Sequence, residues 1–418
     1  MNILLATMRV HHSGAGIPSY NQELIRLLGH DNRIWVLGET EECDVPGCEG
    51  CFTTAGHSFG DYDYCRRLIE KINNSGYDCV IASGSRFIPV IAPFLKVPVL
   101  SVSHFVNGRF AKMAGYNAGY QNGLIALSSY GKDFLVNKFD IDDPDMVSVI
   151  YNFVNKSEST SNVNKAAGHP LKIVYPGGTS LEKSVEVIQK LVYRLLRSDL
   201  DFEFYWLGIT TPMPADKYSL LGIKKTPDLF NKDPRLKITG LLPRKEAEKI
   251  ISEANIFVLP SRGEGCPMSL LEALREGCIP VISDARHGSL EIIEKSATGI
   301  IVPQGSDRKL FEAVRDIILS PGEYEHMYEE SRTFLSTYLS PEKWGERMRE
   351  AIDKAVARKK KFDPLSEKLF RKSYLGFKRQ ERYERLREMA RNGWYRILME
   401  SAYVKSKLGC YSPTINKK

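Results

Sequence analysis

A chain of 418 residues exceeds what one hydrophobic core usually serves, so two domains and an appendage are expected. Hydrophobic residues at 43% and charged residues at 26% are those of a folded globular protein and exclude a disordered or fibrous one. The net charge of +7 hides an asymmetry: residues 358–418 hold 18 Lys and Arg against 6 Asp and Glu, whereas the other residues hold 40 against 45. A mildly acidic body carries a strongly basic tail.

The opening MNILLATM is apolar but short and lacks a basic leader, so it reads as a first buried strand and not as a secretory signal. No run reaches the length of a membrane span. On that reading the chain is cytoplasmic, and its eight cysteines are free thiols in a reducing compartment.

Through the first 150 residues, short apolar runs alternate with helical patterns: NILLAT, RIWVLG, DCVIAS, VPVLSVS, GLIALSS and MVSVIYN. Such alternation predicts a doubly wound parallel sheet. The polar, small-residue stretch KSESTSNVNKAAGHP has the composition of a linker. The alternation restarts with LKIVYPG, FEFYWLG, LKITG, IFVLP, IPVIS and GIIVP, which predicts a second sheet of the same kind. A helix opening at SPEKW closes the folded part. The expected domains are therefore residues 1–160 with 341–357 as closing helix, residues 168–340, and a basic helical tail at 358–418. Two Rossmann-like α/β domains facing across a cleft would gather ligands at the carboxyl ends of their strands.

The segment IFVLPSRGEGCPMSLLEALREGCIPVIS carries the most chemistry. A buried strand ends at Pro260, a loop follows, and a helix starts near Pro267, where proline suits the first turn. Amides of Gly265, Cys266 and Met268 would surround a helix N-terminus, a ready site for phosphate. Glu264 precedes that helix and Glu272 lies inside it, so both carboxylates are expected to reach one cleft. The first suits sugar hydroxyls and the second a ribose diol.

This spacing of Glu264 and Glu272 resembles the E-x7-E signature of the retaining GT-B glycosyltransferases of the group 1 type. GLIALSSYGKDFL with VSVIYNFVN, KITGLLPRKEAEKIISEANIFVLP, and ARHGSLEIIEKSATGIIVPQG are similar to further parts of that family, in its order, over about 340 residues. The resemblance implies a hexosyltransferase-type enzyme without metal or cofactor, its donor substrate a nucleotide-diphosphate sugar. It implies Glu264 at the donor sugar, Glu272 at the ribose and Lys183, in GGTSLEKS, at the diphosphate. Family members usually carry arginine directly after the glycine matched by Gly177. Here Gly178 stands in that place, which removes one of two cations around a departing diphosphate, a loss of several kcal/mol in comparable sites. Arg262 is the nearby cation expected to compensate. The glycine loop around Gly14 and Gly16 would approach the diphosphate, and His104, at a strand end, matches a histidine near the reacting sugar. His11, His12, His57 and His287 are read as surface or loop residues.

Blander readings stand beside these. Acidic residues in a helix's first turns are common, and Lys183 suits a solvated helix start. Asp140, Asp142, Asp143 and Asp145 could form a carboxylate metal cluster, but aspartates in such a loop more often make turns and caps. Cys43, Cys48, Cys51 and Cys79 fit a plant-type iron-sulfur spacing, and with His57 or Cys65 could hold zinc; free thiols in a loop are the simpler expectation. Cys266 and Cys278 are expected only to pack.

The tail interleaves aromatic residues with cations, which suits an anionic membrane surface at the inner face of a membrane, with RNA or a solvated helix folded back on the domains as competing readings. No nucleic-acid module accompanies it, and no nucleic-acid partner is expected. The family's acceptors are often lipid-linked or cell-envelope glycans. Alternatives to glycosyl transfer are another GT-B activity, as a nucleotide-sugar epimerase or phosphorylase, and a catalytically silent scaffold.

Overall fold

A computed structural model describes residues 1–8, 16–39, 45–106, 108–155, 170–178, 182–208 and 233–407, with side chains except at 328, 388 and 391–407. Gly14, Cys43, His11, His12 and most of the expected linker lie outside the described residues.

The first sheet is built from β1 (Asn2–Thr7), β2 (Arg33–Gly38), β3 (Gly50–Thr53), β4 (Cys79–Ser83), β5 (Val99–Ser103), β6 (Gly123–Ala126) and β7 (Val147–Val149). Its strand order is β3-β2-β1-β4-β5-β6-β7, parallel throughout. Every residue of β4 and β5 is buried, which is why CVIAS and VLSVS lack the alternation of a one-sided strand. Helices α1 (Gly16–Leu28), α2 (Tyr62–Asn74), α3 (Ile88–Ile91), α4 (Gly108–Ala114) and α5 (Ser129–Lys138) connect the strands.

The second sheet holds β8 (Leu171–Tyr175), β9 (Phe202–Trp206), β10 (Leu236–Ile238), β11 (Ile256–Leu259), β12 (Ile279–Ser283) and β13 (Ile300–Val302) in the order β10-β9-β8-β11-β12-β13, again parallel. Around it run α6 (Val185–Leu196), α7 (Arg244–Glu253), α8 (Met268–Arg275), α9 (Gly288–Ser296), α10 (Asp307–Leu319) and α11 (His326–Tyr338). In both sheets the strand order reverses beside the strand that opens it, between β1 and β4 and between β8 and β11. A crevice opens at such a switch point.

The chain then returns to the first sheet. Ser340 caps α12 (Pro341–Ala357) by accepting from the Lys343 amide at 3.4 Å, and Trp344 of this helix meets Tyr20 of α1 edge to face at 5.5 Å. The last helix, α13 (Glu367–Lys407), has 41 residues. One architectural expectation needs correction. The cysteine-rich segment is not only loop, because Gly50–Thr53 adds an edge strand beside β2; half-buried and containing Gly and Cys, it shows neither alternation nor a β-branched run. The tail folds back on the first domain, one of the readings set out above, with Phe370 fully buried and Phe377 nearly so.

Candidate functional site

The switch point of the second sheet brings together residues 81 positions apart. The chain leaves β8 through Gly177 and Gly178 and reaches Lys183; it leaves β11 through Ser261 and Arg262 and reaches Glu264. The Lys183 ammonium donates to Glu264 Oε1 at 2.5 Å. Tyr175 holds the backbone beside it, its hydroxyl donating to the Lys183 carbonyl at 3.0 Å. Next in the chain, Ser184 adopts φ 53, a left-handed conformation that disfavours any side chain. Strain of this kind, costing about 1–3 kcal/mol, collects where function demands a particular side-chain placement.

Both glycines after β8 have structural reasons. A methyl group on Gly177 would lie 2.1 Å from the Tyr175 ring. Gly178 has φ +56, and its carbonyl accepts from the Trp206 indole at 3.0 Å. Arg262 does not meet the Lys183–Glu264 pair through its guanidinium hydrogen bond. That bond goes to Glu186 of α6, whose side chain is buried.

The loop after Glu264 presses against the first domain. A Cβ on Gly265 would sit 2.2 Å from the His104 carbonyl oxygen, so only glycine lets the two loops touch. The next residue, Cys266, is buried, its thiol pushed up to about 12 by burial, and its carbonyl accepts from Asn152 Nδ2 at 2.5 Å. Pro267 occupies the N-cap position and Met268 opens α8. Across the interface, Glu291 of α9 accepts from the Ser129 amide and hydroxyl, each at 2.7 Å, and from the Tyr151 hydroxyl. Glu291 thus ties the second domain to the start of α5, where a helix N-terminus favours a carboxylate.

Glu272 faces a different neighbourhood. Its carboxylate accepts from Arg244 of α7 at 3.4 Å, and burial raises its pKa against the lowering effect of Arg244. The structure therefore joins Glu264 to Lys183 and gives Glu272 its own cation, with no direct contact between the two carboxylates.

On the first domain, His104 follows β5. Its Nε2 lies 2.9 Å from the Ser83 hydroxyl, and its ring meets Tyr20 edge to face at 4.9 Å. Burial pushes this imidazole down to about 3, so it is neutral near pH 7 and serves as a hydrogen-bonding group. Ile17, Val102, Phe110 and Met113 line a small, mostly apolar cavity with His104 and Ser85 in its wall. Gly16 opens α1 with nothing within 4 Å of where a Cβ would point, so packing does not demand a glycine there.

His287, expected at the surface or in a loop, is fully buried. It caps α9: Nδ1 accepts from the Ser289 amide at 3.2 Å, which leaves Nε2 to donate to the Ser261 carbonyl at 3.2 Å. Burial also lowers its pKa. Asp143 makes a turn and cap, accepting from the Asp145 amide at 3.0 Å and from Arg358 at 2.5 Å. Among the described residues, no group of three or more His, Cys, Asp or Glu is placed to hold a metal ion. Cys48 and Cys51 are half-buried, while Cys65 and Cys79 are buried. Arg244, Asn152 and Glu291 lie inside segments that resemble the family but do not stand out there, because each acts on a partner far along the chain.

Two parallel α/β domains meeting at their loop faces, with a cation–carboxylate pair on one and a neutral histidine on the other, define the GT-B architecture. A crystal structure of Anabaena Alr3699/HepE in complex with UDP and glucose has the same fold, at TM-score 0.65 and 15% identity, covering 84% of this chain and 99% of that one. Residues 157–334 match the family described as Glycosyl transferases group 1. The chain is 26% identical over 173 residues to a putative colanic acid biosynthesis glycosyltransferase, WcaL, of Salmonella typhimurium, covering 40% of this chain and 41% of that protein. It is 36% identical over 81 residues to the amylovoran biosynthesis glycosyltransferase AmsK of Erwinia amylovora, covering 18% and 20%. The chain thus spans 41% and 20% of the length of these curated relatives.

Proposed function

We propose that the protein transfers a sugar from a nucleotide-diphosphate sugar to a glycan or lipid-linked acceptor, with retention at the anomeric carbon. The observation that carries this reading is the Lys183–Glu264 pair at the switch point of the second sheet, set against His104 of the first through Gly265. The fold neighbour from Anabaena, which holds UDP and glucose, supports a uridine nucleotide. The relatives named for colanic acid and amylovoran biosynthesis support a cell-envelope or lipid-linked glycan as acceptor.

In the reaction, the bond between the anomeric carbon and the diphosphate breaks and the electron pair leaves with the diphosphate. The acceptor hydroxyl bonds to that carbon and passes its proton to the departing diphosphate oxygen, so that bonds and charges balance. Lys183 meets the charge that grows on the diphosphate, helped by amides at the start of α8 and by the Gly14 to Gly16 loop. Glu264 accepts hydrogen bonds from the sugar, Glu272 from the ribose, and neutral His104 bonds to the sugar from the opposite domain. Positioning in a closed crevice supplies most of the acceleration. No metal, cofactor or covalent nucleophile enters the scheme. Gly178 stands where the family usually carries a cation, and the Arg262 guanidinium pairs with Glu186.

No helix among the described residues is long and apolar enough to cross a membrane. We place the enzyme at the cytoplasmic face of a membrane, touching it through the basic carboxy-terminal segment. The test is incubation of purified protein with a panel of nucleotide-sugars and scoring of released nucleotide. Release that Lys183→Ala abolishes is expected; release of none, with no binding of uridine or guanosine diphosphate, leaves the silent scaffold.

A further inference from the structure

The last helix sorts its charges by side. Phe370 packs into the cluster of Ile88, Ile91 and Phe94, and Phe377 against Val90 and Met113. Glu381 accepts from Arg86 at 2.5 Å, and Glu384 pairs with Lys112 of α4, the two side chains 7% and 6% exposed. Residues 370, 377, 381 and 384 share one side of a helix. Glu381 and Glu384 are the only acids between 368 and 387, and both pair with the first domain, Glu381 also accepting from Lys378 at 3.1 Å. Exposed in the same stretch are Lys368, Arg371, Lys372, Arg379, Arg382 and Arg385. Among them stand Leu375, Leu386 and Met389, each more than half exposed. Of the thirteen large apolar side chains exposed among the described residues, six lie between 362 and 389.

Arg371 pairs with Glu367 on the helix itself, but cations on this face outnumber the acids; a solvated helix gains nothing from leaving leucines among them. An anionic bilayer accommodates both, taking apolar side chains into the headgroup boundary while lysines and arginines reach lipid phosphates. We propose that the outward face of α13, centred on Leu375, Arg379, Arg382 and Leu386, is a docking surface for an anionic lipid bilayer. This rests on the membrane contact proposed above and assigns it to one face of one helix. Docking is a property of the first domain, which on the proposed reading faces the acceptor. The inward face of α13 grips α4, and α4 contributes Phe110 and Met113 to the cavity beside His104. A bilayer on the outer face therefore lies one helix layer away from the acceptor side of the crevice, where a lipid-linked acceptor would arrive.

The test is co-sedimentation of the full chain with phosphatidylcholine vesicles, with and without phosphatidylglycerol, at low and high salt. Wild-type protein is expected to bind only the anionic vesicles, and less well at high salt. Arg379→Ser with Arg382→Ser should weaken partitioning on the order of thirtyfold, and Leu375→Ser with Leu386→Ser about tenfold. All four positions are exposed, so thermal melts should match the wild type. Wild-type binding that both pairs of substitutions leave intact would overturn the assignment of this face. Absence of wild-type vesicle binding, or binding of single-stranded RNA in its place, would overturn the membrane contact as well; neither result bears on sugar transfer, which nucleotide release reads separately.

Discussion

Replacing Gly265 with alanine tests whether the two domains must touch at this loop for the site to work. The added methyl would sit 2.2 Å from the His104 carbonyl oxygen, and ordinary contact begins near 3.4 Å. The obstructing atom is backbone, so no rotamer change relieves it, and the loops must part by roughly an ångström. A misplacement of that size between groups that position one substrate costs on the order of a hundredfold in rate. Overpacking alone costs about 1–3 kcal/mol, which leaves a domain of this size folded. Gly265→Ala should therefore melt within several degrees of the wild type and bind nucleoside diphosphate nearly as well, because Lys183 and Glu272 are untouched, yet turn over about a hundredfold more slowly. The assay is nucleotide release at saturating donor, with calorimetric titration of the diphosphate as control. A folded variant turning over within threefold of wild type would show that the approach of Gly265 to His104 has no part in catalysis.

Glu384→Ala strands the Lys112 ammonium in a buried position and should cost about 3–5 kcal/mol in urea unfolding, most of it recovered by pairing Lys112→Met with Glu384→Leu. An unchanged single variant would mean that α13 is not docked as described. His104 has a folded pKa of about 3, below the ordinary 6.5. The folded state thus holds the neutral ring while the unfolded chain takes a proton, so its contribution is intact above pH 6.5 and is lost as pH falls toward 3. The slope is about 1.4 kcal/mol per pH unit. His104→Asn should flatten that acid limb, with a remainder from His287, whose pKa moves the same way; an unaltered limb would contradict the neutral assignment. Gly178→Arg restores the family's second cation where a Cβ would have 3.4 Å to the Gly208 carbonyl oxygen, but at φ +56. It should lower stability by about 1–2 kcal/mol and tighten diphosphate binding; unimproved binding would place position 178 away from the diphosphate.

How far the sequence could be read depended on what each residue touches. The central strands were legible because burial on both faces leaves continuous apolar runs such as CVIAS and IPVIS, with glycines or polar residues at their ends. Gly50–Thr53 was not, since an edge strand needs only half its surface covered and shows no periodicity. The family resemblance located Glu264 and Lys183, but their direct bond depends on two loops from neighbouring strands, 81 residues apart. Arg244 was hidden for the same reason, while His287 left a faint signal in its place directly before the helical GSLEII. The tail's composition showed its cations clearly. Its docking was also written there, in the seven-residue spacing of Phe370 and Phe377 continued by Glu381 and Glu384, but the weight of positive charge drew attention to the opposite face.

The division of labour between the two carboxylates is tested most directly by steady-state kinetics of Glu264→Ala and Glu272→Ala with the donor that the panel identifies. Glu272→Ala should raise the donor KM and weaken diphosphate binding by about tenfold or more with kcat largely kept, because it removes a contact to the nucleotide. Glu264→Ala should chiefly lower kcat, because it removes a contact to the sugar being transferred. Wild-type kinetics in both variants, or the same change in each, would contradict a site in which Glu264 and Lys183 serve the reacting end of the donor and Glu272 with Arg244 its nucleoside.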